Sequence, residues 1–485
     1  MGIVDPVRLL LSLTALPRET EWLEFKQNRF SAEEFGRYVS ALANAAMLHD
    51  QPYGYLIYGV EDGTHNVVGT DVRLKGERIG PTEPFEVWLA KLLHPEVFVE
   101  FVQFDYGDKH VELVRVHPGY MMPVRFKTEA YIRVDSALKP LRELPGREQA
   151  VWSICSRFTF ERSVAAAHLD EAEVFDLFDP DTLLKGLGAP KGLSRRASIL
   201  RLLDEELLID NLQGGWDATN LLAILAARDI TRFRSLEKKM PRVIHYKGTS
   251  KATGIDDIPG RRGYGLSFAR MLQFVMDRID HKEEMHHGQR TTVYAIPLIA
   301  MREFIANALI HQDMTALGAG PIIEIFADRV KITNPGRSLV DPDRLIDAAP
   351  RSRNEALAGF MRRLGHFEGR GSGVDRAVEA IEKAALTPPL FQVTDDSFVA
   401  IAYAARSFAA MTKEDRIRAC YQHASVRWEA SMPMSNQSLR LRFGLGEKQY
   451  PQVSNVIRDA IEAGRIRPQG ADQANRVAKY VPHWA

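Results

Sequence analysis

Glu303 and Asn307 stand four residues apart in Arg302-Glu303-Phe304-Ile305-Ala306-Asn307-Ala308-Leu309-Ile310-His311-Gln312-Asp313. Phe304 and Ala308, like Ile305 and Leu309, repeat at four-residue spacing with no Gly or Pro between them, which predicts an amphipathic helix. On that helix Glu303 and Asn307 project from one face about a turn apart. A carboxylate beside a carboxamide can manage a magnesium ion and a water: the amide oxygen ligates the cation and the carboxylate orients the water. The same pair would suit a merely solvated helix face, so its meaning depends on the neighbouring motifs. Two glycine-bearing loops lie downstream. Thr333-Asn334-Pro335-Gly336-Arg337 ends a predicted strand, and Gly369-Arg370-Gly371-Ser372-Gly373 runs into a helix starting near Asp375. A glycine-rich loop at a helix N-terminus offers bare backbone N–H groups to a phosphate.

The elements that must position these groups are legible around them. Ile322 to Ala327 alternates as a strand, Asp328 to Ile332 forms a second, and Arg353-Asn354-Glu355 opens a helix. Acid/amide helix, strand ending in Asn-Pro-Gly, then Gly-x-Gly-x-Gly before a helix is an order that resembles the GHKL (Bergerat) ATP-binding fold, an α/β sandwich. More narrowly, it is similar to the branch found in RecG-like transcriptional regulators. That resemblance implies bound ATP and Mg²⁺, with Glu303 as general base, Asn307 as magnesium ligand, Gly369, Gly371, Ser372 and Gly373 around the phosphates, and Asn334 and Gly336 under the adenine. Asn334 stands where GHKL proteins carry an Asp, and Gln312 stands between His311 and Asp313 where an Arg is usual.

A second set of chemistry-bearing residues lies near the start of the chain. Glu19 and Glu24 flank a short strand, and Asp62 comes after a second strand at the turn Glu61-Asp62-Gly63-Thr64. Three acids converging on one or two divalent metals could activate water and stabilise a leaving oxygen; alternatively Glu24 and Lys26 form an ion pair and Asp62 is a turn residue. Ser31 and Glu34 predict a capping box opening a helix through Met47, Tyr53 to Val60 a buried strand, 84–93 a helix, and 97–104, 110–117 and 131–134 strands. Glu-Phe-Lys, then Ala-Leu-Ala-Asn at a helix end, then Tyr-Leu-Ile-Tyr-Gly-Val-Glu-Asp-Gly resemble the Schlafen/AlbA-type domain over residues 18–145. One departure is the stretch Ala45 to Pro52 where the family has Gly-Gly after the Asn. The resemblance implies nucleic-acid binding, with Lys26 and Arg133 as phosphate contacts, or a metal-dependent ribonuclease of the kind found in animal Schlafens and in stress or phage defence.

The last 76 residues, 410–485, carry 12 Lys/Arg against 7 Asp/Glu, a local excess of 5 in a chain balanced at 63 against 63. Helices near 412–424, 436–445 and 451–463, then short strands at 465–468 and 476–482, read as a winged helix-turn-helix. Gln452, Asn455 and Arg458 would face a groove, with Arg440, Arg442, Arg465 and Arg476 near phosphates; a protein-docking winged helix is the alternative.

The neutral overall balance leaves no global field, so any nucleic-acid surface must be local. Cys155 and Cys420 are distant and without metal-ligand spacing, which argues against a disulfide framework or a cysteine zinc site. The N-terminus has no signal-peptide pattern, and no apolar run approaches the roughly 18 residues of a membrane span. The expectation is a cytoplasmic α+β multidomain protein, with a Schlafen/AlbA-type domain (1–148), a helical/mixed bridging region (149–289), a GHKL-like ATP-binding domain (290–408) and a winged helix (409–485). It would act as a homo-oligomeric, ATP-binding regulator of transcription whose nucleotide state modulates DNA or RNA binding. The alternatives are a ribonuclease gated by the ATP domain and a non-catalytic docking protein.

Overall fold

The computed structural model describes residues 5–485 except 50, 81, 120–121, 136, 158–159, 212–213, 287–288, 317, 319, 350, 368–372 and 471–477. It is an α+β chain that divides into two compact units. One comprises Met1–Thr159, Ala167–Asp170 and Asp210–Asp217; the other comprises Phe160–Ala166, Glu171–Ile209 and Ala218–Ala485.

In the first unit, helix α1 (Pro6–Thr14) precedes strand β1 (Leu23–Lys26), helix α2 (Ala32–Leu48) and strand β2 (Gly54–Tyr58). After helix α3 (Phe85–Leu92) come strands β3 (Val99–Tyr106), β4 (Lys109–Val116) and β5 (Glu129–Val134). The main sheet runs β1-β2-β4-β3, with β1 parallel to β2 and the other pairs antiparallel. Every residue of β2 is buried, because both faces are covered. Phe35, Val39 and Leu42 of α2 pack on Leu56 and Tyr58, while Leu9, Leu10 and Leu13 of α1 pack with Tyr55 and Ile57. Gly54 lets β2 start against α2, since a Cβ there would stand 2.7 Å from the Leu42 carbonyl oxygen. Asn44, the last residue of Ala-Leu-Ala-Asn, is fully buried. Its amide donates to the carbonyls of Val124 (2.9 Å) and Tyr131 (2.8 Å) and accepts from the Val124 N–H (2.7 Å), stapling α2 to two later segments. Ser31 does stand at the N-cap of α2, but its hydroxyl makes no capping bond, so the predicted capping box does not form.

In the second unit a six-stranded sheet is built from β6 (Arg242–Tyr246), β7 (Gly254–Pro259), β8 (Ile322–Ile325), β9 (Arg329–Pro335), β10 (Leu390–Val393) and β11 (Ser397–Tyr403). The order is β7-β6-β8-β9-β11-β10; β6 and β8 are parallel and every other pair antiparallel. Helix α4 (Tyr264–Met276) packs on α5 (Leu298–His311), which lies over β9 and β11. Helices α6 (Glu355–Arg363) and α7 (Gly373–Lys383) come between β9 and β10 in the chain, and α7 packs along α5. The C-terminal part adds α8 (Lys413–Glu429), α9 (Asn436–Arg442) and α10 (Tyr450–Glu462), then a two-stranded pairing of β12 (Ile466–Pro468) with β13 (Tyr480–Pro482). Thr412 and Asp415 form a reciprocal capping box that starts α8. Among the described residues no helix is long and apolar enough to cross a membrane.

Candidate functional site

Helix α5 sends Glu303, Asn307 and His311 into one cavity at four-residue steps. The cavity holds about 380 Å³ and is completed by Ile332, Asn334 and Gly336 at the end of β9, Phe398 and Ala400 of β11, and Gly373 at the head of α7. That volume lies within the range of small-molecule and cofactor sites. The residues read from the sequence as one site therefore do converge, and Gly373 is the described member of the glycine loop. Gly369, Gly371 and Ser372 lie outside the described residues.

Glu303 is completely buried. Its Oε1 accepts from the Arg302 guanidinium at 3.0 Å, while Oε2 has no hydrogen-bond partner. A Cβ on residue 373 would stand 2.6 Å from that Oε2, so glycine is what lets the first turn of α7 come up to the carboxylate. Asn334 is 4% exposed and its Oδ1 is likewise unpartnered. Buried polar atoms are nearly always satisfied, so two orphaned oxygens on one cavity suggest a ligand or water that completes them. Burial, and then the charge of Arg353, push the His311 imidazole down to about 4, so it faces the cavity neutral at pH 7.

The backbone around the cavity is locked by polar contacts. Gly336 adopts φ 95°, and a Cβ there would sit 2.6 Å from Asp313 Cβ. The Asp313 N–H donates to the Pro335 carbonyl at 2.8 Å, tying the end of α5 to the Asn-Pro-Gly turn. Burial opposes the charge on Asp313, but bonds from Thr315 hold its carboxyl below the usual carboxylate range. Gln312 does not reach into the cavity; its amide donates to the Tyr264 hydroxyl at 2.7 Å and bridges two helices. Asn354 donates to the carbonyls of Ile310 and Gln312, both at 2.8 Å, and so fixes α6 to the end of α5. In the sequence the Arg353-Asn354 pair marks a helix start, and residue type alone does not reveal that the Asn354 amide joins two helices.

The stretch 337–353 carries no chemical motif in the sequence, yet it supplies much of the cavity wall, including Leu339, Val340, Leu345, Arg351 and Arg353. Its other side holds the C-terminal elements. The Tyr421 hydroxyl donates to the Asp343 carbonyl, Arg465 pairs with the Asp343 carboxylate, and Arg344 lies 4.1 Å over the Trp484 ring.

Helix α10 buries Val453, Val456, Ile457 and Ala460 and exposes Gln452, Asn455 and Arg458, the three residues expected to face a groove. Arg440 is half-buried, with its Nε donating to Asn436 Oδ1 at 3.1 Å. Arg442 departs from expectation: it is 4% exposed and donates to the Leu386 carbonyl at 2.9 Å, so it cannot reach a phosphate. The phase of α9 explains this, since Leu439 and Arg442 share its inner face while Leu441 is 71% exposed. Arg465 is taken up by Asp343, and Arg476 lies outside the described residues.

In the first unit, Arg133 is fully buried and bridges Glu19, at 2.8 Å, and Glu24. It also donates to the carbonyls of Thr20 (2.7 Å) and Leu23. With no exposed surface it is an internal counter-charge, which overturns its expected role as a phosphate contact. The second oxygen of Glu24 pairs with Lys26, whose ammonium lies 4.8 Å over the Tyr38 ring. Burial works to discharge Lys26, but Glu24 and Tyr38 hold its charge well beyond the ordinary lysine range. Glu19 accepts from the Phe25 N–H at 2.8 Å, yet burial and then the Glu24 charge raise its pKa, with Asp62 adding to the same effect. Asp62 is exposed on its turn. Among the described residues no group of three or more His, Cys, Asp or Glu is arranged to hold a metal ion.

Two family models match the chain. Residues 19–142 match "Schlafen, AlbA_2", and residues 318–401 match "Putative ATP-dependent DNA helicase recG C-terminal". The chain carries a Schlafen/AlbA_2 domain and a RecG C-terminal-type ATPase domain. No curated protein matches it. A solved structure, the DIP2311 protein from Corynebacterium diphtheriae, is similar at 15% identity over 98% of this chain and 96% of that one, with a TM-score of 0.42, too loose a likeness to bear on function. The RecG-type match takes in Asn334, Gly336 and the glycine loop, while Glu303 and Asn307 precede it on α5. In the Schlafen/AlbA_2 domain, the Glu19 and Glu24 carboxylates face Arg133 rather than open space.

Proposed function

We propose that this protein is an ATP-binding, nucleic-acid-binding regulator whose nucleotide state modulates its grip on DNA or RNA. The observation that carries the reading is the convergence of Glu303, Asn307, Asn334, Gly336 and Gly373 on one cavity. In this reading residues 290–408, together with β6 and β7 of the segment before them, form a GHKL-type layer, 409–485 a winged helix, 1–148 a nucleic-acid-binding domain and the rest of 149–289 a bridge. The donor set suits the nucleotide: Asn307 would hold Mg²⁺ through its amide oxygen, and Gly369, Gly371, Ser372 and Gly373 would present backbone N–H groups to phosphate. Bound Mg-ATP supplies a phosphoanhydride with its charge partly neutralised. Glu303, buried with one oxygen that lacks a hydrogen-bond partner, would orient a water and accept its proton. Asn334 offers its side chain to the base.

Coupling between nucleotide and nucleic acid is supported by the two-sided stretch 337–353, which lines the cavity and also grips Tyr421, Arg465 and Trp484. A ligand that reshapes the wall would bias the position of Arg465 and of α10, whose outer face presents Gln452, Asn455 and Arg458. A homo-oligomer and action in transcription belong to the same proposal.

The test is to incubate the full-length protein with labelled transfer RNA and duplex DNA, with and without Mg²⁺, Mn²⁺ and ATP. Binding without cleavage, shifted by ATP in the parent protein but not in Asn307→Ala or Asp343→Ala, supports the regulator. Metal-dependent cleavage lost in Glu24→Ala and Asp62→Ala would replace it with the ribonuclease. Absence of both binding and cleavage would leave the docking protein.

A further inference from the structure

The base-facing end of the cavity is unusual in carrying a carboxamide with nothing to fix it. Asn334 is 4% exposed, its Oδ1 has no hydrogen-bond partner, and its strand partner in the sheet is Phe398. The cavity residues beside it, Ile332, Phe398 and Ala400, have apolar side chains that cannot compete for the amide. A carboxamide presents an acceptor and a donor side by side, and its terminal torsion is broad and roughly two-fold. One orientation meets the amino group and ring nitrogen of adenine. The other, turned by half a rotation, meets the carbonyl and ring N–H of guanine.

We infer that Asn334 makes this cavity a purine-tolerant site that takes guanine as well as adenine nucleotides, an inference that rests on the nucleotide reading of the cavity. The charged residues of the cavity wall add no preference of their own. Arg337, Arg351, Arg353 and Arg362 line the cavity with positive charge that any nucleoside polyphosphate would engage alike. Discrimination among purines therefore falls to the one buried side chain that can present either pattern.

The test is calorimetric titration of the full-length protein with ADP, GDP and CDP in Mg²⁺, repeated on Asn334→Ser. In the parent protein ADP and GDP should bind within about 30-fold of each other, the scale that one well-matched hydrogen bond to a buried group sets. Asn334→Ser, which is small and uncharged, should weaken both purines about equally. An ADP preference beyond 30-fold in the parent protein, about 2 kcal/mol, overturns the inference, as does Asn334→Ser weakening one purine at least about tenfold more than the other. ADP binding with no GDP binding defeats only the purine tolerance. Failure of every nucleotide to bind defeats the nucleotide reading and the inference together.

Discussion

Replacing Arg133 with methionine keeps most of the side-chain volume and removes the one cation that faces Glu19 and Glu24 from inside. Arg133 has no exposed surface, and the Glu19 and Glu24 side chains are 10% and 4% exposed. Breaking a buried ion pair by deleting one partner typically costs about 3–5 kcal/mol, because the remaining charge is left uncompensated. In a unit of this size that corresponds to a fall of roughly 10 °C in melting temperature. The pH dependence carries a sign as well. Burial and the Glu24 charge already raise the Glu19 pKa above its usual value. A group with a raised folded-state pKa favours the fold in its protonated form, at low pH, and that contribution is lost as pH rises through the folded pKa. Without the Arg133 charge Glu19 should sit higher still, so the deficit of Arg133→Met should be larger at pH 8 than at pH 5. Adding Glu24→Gln to Arg133→Met should recover part of it. Scanning calorimetry on the full chain at the two pH values is the assay. A melting temperature within about 2 °C of the parent at pH 8, against the shift that a lost buried pair implies, would refute the picture of Arg133 as an internal counter-charge.

Glu303→Gln should leave Mg-ADP affinity nearly unchanged while lowering any phosphate release at least about 100-fold, the scale of a lost general base; release at the parental rate would remove Glu303 from that role. Arg458→Ala should weaken DNA binding and lower the salt slope by about one contact, whereas Arg442→Ala should lower the melting temperature and leave the slope alone; equal slopes for both variants would contradict the assignment. His311 and His117 are each held to about 4, by burial first and then by Arg353 and Arg115. For both, the contribution to stability is fully present above the unfolded value of 6.5 and is lost as pH falls towards about 4. Denaturant midpoints should therefore drop across that window, and His311→Gln should flatten the drop.

The cavity was the most legible part of the sequence, because each of its pieces is a short-range pattern. The Glu303/Asn307 spacing marks a helix face, Asn334-Pro-Gly marks a strand end, and Gly373 stands before a helix. What was not legible depends on the third dimension. Arg133 looks like any cation on a strand until β5 turns it inward onto Glu19 and Glu24. Arg442 lies one residue beyond Leu441, and only the phase of α9 decides that the arginine goes in and the leucine out. The stretch 337–353 has no repeat to give away its structure, so neither its share of the cavity wall nor its hold on Tyr421 and Trp484 could be read from residue types.

Two strands of the six-stranded sheet, β6 and β7, arrive in the chain well before α5, yet β6 lies directly against β8 with Val243 opposite Ile323. The layer that carries the cavity is thus no detachable cassette. A fragment beginning at residue 290 would expose the backbone edge of Ile322–Ile325, an invitation to mispair with another chain. Dissection or domain exchange that respects the fold must cut ahead of Arg242.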